Sequence, residues 1–184
     1  VVEILDARSW TAAAAAATAN GDVVDAHAWT RSEERGGGDG RGASYDVVVV
    51  RATGDVDVCG LGVGAEEWET RATFKAMENA TSSDLDARFG RLVIGGKGQG
   101  CDVMVYEAET GKRLYKAKPP PPNWLGYRAP PWVSATCFAS TSECVRFFVG
   151  TGEHRFRHYD TREAKRAVLD LDVGKTVITS VASS

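Results

Sequence analysis

Two glycine-containing runs carry residue types that could bind phosphate. Gly95-Gly96-Lys97-Gly98-Gln99-Gly100 follows an apolar run, and the backbone N–H groups of such a loop can cradle a phosphate at the start of a helix. The residues after it alternate as a strand, so the helix dipole that strengthens such a site is missing. Gly174-Lys175-Thr176 resembles the end of a Walker A loop, but Leu169 stands where the first glycine belongs. We therefore interpret both runs as turns.

Four residues have the types of zinc ligands. Cys137, Cys144, His154 and His158 form a Cys-x6-Cys-x9-His-x3-His series. Its first two gaps depart from the gaps of about two to four and about twelve residues in a Cys2His2 site. Structural histidines are the favoured interpretation, because polar contacts commonly tie strands together. We predict no metal site and no cofactor.

No arrangement of residues indicates an enzyme. Neither a Ser-His-Asp nor a Cys-His order occurs with a nucleophile elbow or a similar local pattern. Asp160, which precedes Thr161-Arg162, ends a predicted strand, where its carboxylate can accept backbone N–H bonds in a tight turn. We therefore predict no catalytic residue and no small-molecule substrate.

A segment rich in proline and aromatic residues is the strongest candidate for binding. Its four prolines, Pro119 to Pro122, favour an extended polyproline II conformation in a long loop. Lys118 and Arg128 could contact a phosphate backbone or a partner protein. Trp124 and Trp132 belong either to this contact surface or to a groove between structural units, where Trp is often partly buried. At the level of sequence both alternatives stay open.

The elements that would position these residues are short strands that recur in one order. Outside an alanine run between Trp10 and Ala19, no long apolar stripe with helical spacing occurs. Apolar runs with strand patterns instead repeat in groups of four, and a further group starts at residue 177. Four strands in about 40–45 residues plus loops are typical of a β-propeller blade. The sequence therefore predicts an all-β fold with blade-like units at residues 23–71, 72–132 and 133–176.

Length and charge limit the function further. The 184 residues are 43% hydrophobic and 26% charged, which is typical of a soluble globular chain. The net charge of −3 provides no overall basic field, so any contact with RNA must be local. The stretch Trp10–Ala19 is far shorter than the roughly 20 apolar residues of a membrane helix, so we expect neither a transmembrane segment nor a signal peptide, and no membrane partner.

The number of predicted blades indicates a part of a larger fold. A closed propeller needs about four to eight blades, whereas this chain has room for three to four, so we expect a fragment of a propeller. The alanine run and the glycine-rich run at residues 36–42 lack a periodic apolar face, and we expect both to be loops.

Several motifs occur together between Arg91 and Thr179. Gly95-Gly96-Lys97 leads into Asp102–Glu107 as a glycine turn leads into a W-D strand, and the prolines and tryptophans follow in one loop. Residues 150–162 contain the pattern G-T-x-x-H-x-x-R-x-Y-D, and Lys165-Arg166 precedes the next apolar run. In this combination the chain resembles the ribosome-biogenesis WD-repeat family typified by WD repeat-containing protein 74.

The resemblance implies a seven-bladed WD40-type propeller that acts as a non-catalytic scaffold in the nucleus and nucleolus. The implied partners are proteins of the large ribosomal subunit precursor, with rRNA as a further partner, and an AAA-type ATPase involved in release. The candidate partner-binding residues are Lys118, Trp124, Arg128, Trp132, His154 and Arg162. The alternative is a generic WD40 protein-interaction module of another nuclear or cytoplasmic complex.

Overall fold

The computed structural model describes residues 22–32, 43–61, 69–98, 102–139 and 145–183. The alanine-rich and glycine-rich tracts, for which the sequence predicts loops, lie outside these ranges, as do Cys101 and Cys144. The strands of the described part are β1 (Val23–Ser32), β2 (Ala43–Arg51), β3 (Asp55–Leu61), β4 (Glu69–Lys75), β5 (Ala80–Asp86), β6 (Arg91–Gly96), β7 (Val103–Glu107), β8 (Arg113–Lys116), β9 (Val133–Phe138), β10 (Arg146–Thr151), β11 (Arg155–Asp160) and β12 (Leu169–Asp172). Within the same ranges, no helix has the length and apolar character needed to cross a membrane.

The strands form three four-stranded antiparallel sheets. The first sheet has the order β1-β2-β3-β4, the second β5-β6-β7-β8 and the third β9-β10-β11-β12, so neighbours in each sheet are also neighbours in the chain. Antiparallel neighbours of this kind can be joined by short turns, which is how a propeller blade is built. The predicted all-β class and the four-strand unit are confirmed.

The boundary between the first two sheets differs from the sequence prediction. The sequence analysis starts the second unit at residue 72, but Glu69–Lys75 pairs with β3 and is the fourth strand of the first sheet. The second sheet starts instead with Ala80–Asp86, a strand that the apolar pattern does not reveal. Its sequence, ATSSDLD, is mostly polar, so a search for apolar alternation misses it.

The polar strand β5 is stable inside the protein because its side chains find partners on neighbouring sheets. The inner strands β1, β5 and β9 lie beside one another. The Ser82 hydroxyl pairs with the Thr136 hydroxyl of β9 at 3.0 Å, and the Ser83 hydroxyl pairs with His27 Nε2 of β1 at 2.8 Å. Buried polar groups are tolerated when they are hydrogen-bonded, so these pairs replace the apolar contacts of an ordinary inner strand.

Carboxylates on β1 and β5 each tie one inner strand to the next. Asp25 Oδ2 on β1 accepts a hydrogen bond from the Ser83 backbone N–H on β5 at 2.6 Å. Asp84 Oδ2 on β5 accepts one from the Phe138 backbone N–H on β9 at 2.7 Å. Because these bonds fix the backbone rather than a mobile side chain, they set how neighbouring sheets are aligned.

The second sheet is covered on both faces. Leu92 and Ile94 of β6 belong to an apolar cluster shared with the first sheet, whereas Val93 between them belongs to a cluster shared with the third sheet. Successive side chains of a strand point to opposite faces, which explains why this strand reads as a continuous apolar run. In the second cluster, the rings of Tyr115 and Phe147 meet edge to face with centroids 6.0 Å apart.

Two glycines allow the sheets to approach closely. A Cβ at Gly95 would lie 2.2 Å from Val133 Cγ1 of β9, and a Cβ at Gly150 would lie 2.5 Å from Ile178 Cγ2. Gly95 is therefore required for packing between sheets. It lies inside β6 and not in the turn that the sequence analysis assigned to this glycine run.

Residues 177–183 pack against the third sheet in the way that β9 packs against the second sheet. Thr81 Oγ1 donates to the Val133 carbonyl at 2.5 Å, and Ser134 Oγ donates to the Ile178 carbonyl at 2.6 Å. Ile178 thus makes the same kind of backbone contact as Val133, the first residue of β9, and Gly150 lies beside it as Gly95 lies beside Val133.

Candidate partner-binding surface

The loop between β8 and β9 carries most of the sequence-predicted site residues. At its start, the Lys118 backbone N–H donates to the Lys165 carbonyl in the third sheet at 2.6 Å. At its end, the Pro131 carbonyl accepts from the Gly98 N–H of the second sheet at 2.8 Å. The prolines remove backbone donors and fix φ, so both arms of the loop are stiffened by sequence as well as by these anchors. We call residues 117–132 the proline loop.

The tip of the proline loop is a turn braced by Asn123. The Asn123 side-chain oxygen accepts hydrogen bonds from the Leu125 N–H at 3.0 Å and the Tyr127 N–H at 2.9 Å. The Asn123 backbone N–H donates to the Tyr127 carbonyl at 2.8 Å, and Gly126 has a φ of +78°, which glycine adopts without strain. Asn often supports turns in this way, so the tip is an ordered turn built from local sequence.

This turn presents large apolar side chains to solvent. Trp124 is 90% exposed, Leu125 68% and Tyr127 60%. An ordered turn has already lost most of the conformational freedom that binding would otherwise remove, and Trp and Tyr dominate the energetics of protein interfaces. The tip is therefore suited to docking against another molecule.

Trp132 has a different role from Trp124. Its ring packs against Gly152, where an added Cβ would lie 2.1 Å from Trp132 Cδ2. The Lys97 ammonium lies 4.0 Å from the centroid of the Trp132 ring. The Gly152 backbone N–H also donates to the Trp132 carbonyl at 2.9 Å. The sequence left open whether these tryptophans lie in a groove between sheets or on an exposed surface. Trp132 lies between the second and third sheets, and Trp124 lies on the exposed surface.

His154 and Arg162 lie at opposite ends of β11. His154 has a φ of +64°, its carbonyl accepts from the Val173 N–H at 2.9 Å, and its Nδ1 is buried without a hydrogen-bond partner among the described residues. Arg162 is exposed, and its backbone N–H donates to Asp160 at 3.0 Å. That hydrogen bond, followed by one from Arg146, lowers the pKa of Asp160, as expected for a carboxylate that stabilises a turn. The structure does not bring all six predicted residues into one site.

The residues considered as zinc ligands have other contacts. The His158 ring lies against Phe148, with centroids 5.1 Å apart, and Cys137 is a free thiol near the Ser183 hydroxyl. Within the ranges that the structure describes, no group of three His, Cys, Asp or Glu side chains could hold a metal ion. Cys144 lies outside those ranges.

Cationic side chains surround the base of the proline loop. Lys116, Lys118 and Arg128 are exposed, and so are Lys165 and Arg166 on the neighbouring loop of the third sheet. No ion pair links any of these five to an acidic residue of the described chain, whereas Arg146 pairs with Asp160 at 2.7 Å. Lys165 and Arg166 are functional candidates that the sequence analysis left out, because only the fold brings them beside Lys118.

A buried carboxylate lies next to this basic region. Asp102 is 4% exposed, and neither oxygen has a hydrogen-bond partner of normal geometry among the described residues. Burial raises the pKa of Asp102, an effect that the charge of Arg157, the Val103 amide and the charge of Lys116 only partly oppose. Burial and the nearby Asp102 charge also raise the pKa of Tyr115 to about 12. These groups belong to the contact between the second and third sheets.

Comparison with known proteins places the fold. The sequence matches no protein-family model and no curated protein. Among solved structures, the chain is similar to Chaetomium thermophilum Raptor (TM-score 0.61, 13% identity, 87% of this chain and 13% of that chain). It is also similar to U3-55K (TM-score 0.53, 10% identity, 75% and 39%) and to the RRP9 WD40 repeats (TM-score 0.50, 11% identity, 75% and 38%).

The chain therefore spans between 13% and 39% of the length of these structures. At such low identity the similarity concerns the fold, and it agrees with three consecutive four-stranded sheets joined through their inner strands. The described part of the chain thus has the fold of β-propeller blades.

Proposed function

We propose that the protein is a non-catalytic WD-repeat scaffold in the nucleolar assembly and rRNA processing of the large ribosomal subunit precursor. The observation that carries this proposal is the sequence pattern of residues 150–162, which resembles the family typified by WD repeat-containing protein 74. In the structure this pattern is one hairpin, from β10 through His154 to the Asp160 turn. The proposed partners are precursor-particle proteins, rRNA, and an AAA-type ATPase involved in release.

The architecture supports a scaffold role. Blades joined by buried clusters and backbone hydrogen bonds are rigid, and their loops can contact different partners at once. The tip of the proline loop, with Trp124 exposed, offers one such contact.

We further propose that the chain is part of a seven-bladed propeller and that residues 177–183 begin the next blade. The support is the position of Ile178, which matches that of Val133 in β9. On β12, Leu169 and Leu171 are 42% and 45% exposed, and a following blade would cover this side of the third sheet.

A second candidate is a WD40 interaction module of another nuclear or cytoplasmic complex. The exposed Trp124 favours it equally, because an aromatic anchor on a braced turn suits a groove on many proteins.

The test is affinity purification of the tagged full-length protein from nuclear extract, with identification of both proteins and RNA. We expect large-subunit proteins and unprocessed rRNA, and co-sedimentation with the precursor particle. A stable partner set without ribosomal components would overturn the assembly role and favour the second candidate. Comparison of Trp124→Ala with Leu114→Ala, which removes a large exposed side chain from β8, shows whether the loop tip is the contact.

A further inference from the structure

The five exposed cations at the base of the proline loop lie on neighbouring segments of the second and third sheets. Lys116 and Arg128 line one cavity, Lys118 and Arg166 line a second, and the Lys118 backbone contacts Lys165. We call these five residues the basic surface. In a chain with a net charge of −3, it is a local concentration of positive charge with no ion pair to the described residues.

The two cavities differ in size and in lining. The first has a volume of about 380 Å³, and its walls are mostly proline and alanine, with Lys116 and Arg128 as its cations and the buried Asp102 as its acidic group. The second has a volume of about 150 Å³ and is lined by Lys118, Arg157 and Arg166, with Asp170 as its acidic group. Asp170 already pairs with Arg155 at 2.6 Å and with Arg157 at 3.3 Å, so it leaves Lys118 and Arg166 available to an anion.

The spacing of the two lysines suits a polyanion. Lys116 and Lys118 are exposed while Ala117 between them is 2% exposed, so both lysines point to the same side of an extended segment. Residues two apart on such a segment are separated by about 6.6 Å, which is comparable to the spacing of successive phosphates in an extended nucleic-acid strand.

The exposed rings of the loop tip add a second kind of contact. Trp124 and Tyr127 lie on the same braced turn, and Arg128 follows Tyr127 directly. Aromatic rings beside cations are the combination by which proteins hold unpaired bases, because every base can stack and the backbone is anionic.

We propose that the basic surface and the loop tip bind single-stranded RNA directly. Phosphates contact Lys118 and Arg166 at the smaller cavity and Lys116 and Arg128 at the larger one, while bases stack on Trp124 and Tyr127. This deepens the proposed function and rests on it only for the source of the RNA, which would be precursor rRNA. An acidic protein is the competing partner, but it would not require exposed rings with a flat stacking face.

The test is fluorescence anisotropy of the purified full-length protein with a labelled 12-nucleotide single-stranded RNA of mixed sequence. We expect saturable binding whose affinity falls with salt, with a slope of log K against log salt of about −3 for four or five phosphate contacts. A duplex of the same sequence should bind more weakly, because its bases are not free to stack. Absence of saturable binding, or equal binding of the duplex, would overturn the proposal.

Variants separate stacking from charge. Trp124→Ala should weaken binding about 5- to 140-fold, and Trp124→Leu should lose most of the same affinity because it keeps apolar area but no ring. The double variant Lys118→Ala/Arg166→Ala should reduce the salt slope by about 1.4. Its matched control is Arg88→Ala/Lys112→Ala, which removes two exposed cations at the opposite end of the second sheet and should change neither quantity.

The outcomes are distinguishable from those of the proposed function. Full affinity in Trp124→Leu, equal loss in the control variant, or displacement of the RNA by an equal concentration of a polyglutamate peptide would overturn direct RNA binding in favour of an acidic protein partner. RNA binding in the purified system without ribosomal components in the extract purification would retain the RNA site and reject the ribosomal role.

Discussion

The hydrogen bond from Phe138 to Asp84 makes the alignment of the second and third sheets sensitive to a single substitution. Asp84 Oδ2 is 2.7 Å from the Phe138 backbone nitrogen, and Asp84 Oδ1 accepts from the Leu85 N–H at 2.9 Å. Asp84→Ala removes both acceptors and leaves the Phe138 N–H without its partner on β5. Because Asp84 and Phe138 are partly buried, water replaces the acceptor only in part.

The expected loss follows from the type of bond. A hydrogen bond to a charged group contributes about 1.5–3 kcal/mol to the free energy of unfolding. Because the bond is partly exposed, we expect a loss of about 1–3 kcal/mol. For a chain of this length, a loss of about 1–3 kcal/mol lowers the melting temperature by roughly 2–12 °C. The assay is urea and thermal unfolding followed by circular dichroism.

Two matched variants decide whether the hydrogen bond is the cause. Asp84→Asn keeps an acceptor oxygen of similar size, so it should retain at least half of the stability lost in Asp84→Ala. Asp172→Ala removes the same charge from β12, where the side chain is 67% exposed, and should change stability by less than about 0.5 kcal/mol. If Asp84→Asn is as unstable as Asp84→Ala, or if Asp84→Ala is within error of the wild type, the reasoning is refuted.

Three further predictions concern the contacts between sheets. Gly95→Ala places a methyl group 2.2 Å from Val133 Cγ1 and should lower the free energy of unfolding by about 1–3 kcal/mol. The double variant Gly95→Ala/Val133→Ala should recover part of that loss, as measured in a double-mutant cycle. Burial raises the pKa of Asp102, so the folded state loses stability from this group as pH rises from near 3.8 through the folded-state pKa. In urea unfolding, Asp102→Asn should therefore gain stability relative to the wild type between pH 4 and pH 7. A difference in stability that does not change with pH would contradict this. Tyr115, with a pKa of about 12, should ionise after an exposed tyrosine, so unfolding should become easier between pH 10 and pH 12, and Tyr115→Phe should show a smaller decline in stability over that range.

Strand type and number were predictable wherever apolar residues form the strand. β6 and β7 are almost entirely buried, and their apolar runs are visible in the sequence. β5 was not predictable in this way, because Ser82, Ser83 and Asp84 are satisfied by residues more than 50 positions away. The misplaced unit boundary at residue 72 has the same origin, since missing β5 makes β4 look like the start of the next unit.

The candidate site was predictable in part. Proline, tryptophan and basic residues marked the proline loop, whereas the turn that Asn123 and Gly126 form at its tip was not predicted from the sequence. Trp132 differs from Trp124 because Gly152 of the third sheet has no side chain and leaves room for the Trp132 ring. Only the fold brings these two residues together. Lys165 and Arg166 join the basic surface only because the Lys165 carbonyl meets the Lys118 N–H.

The sequence by itself determined that this protein is built from repeated antiparallel strands, and it predicted a stiff loop that carries proline, tryptophan and basic residues. These properties depend on local composition and on spacing along the chain, which a sequence displays directly. The tertiary structure decided which strand opens each sheet, which tryptophan of the proline loop packs between sheets and which cations lie together. Those outcomes depend on hydrogen bonds and contacts between segments that are distant in sequence. Such interactions contribute to stability only once the sheets have packed against one another.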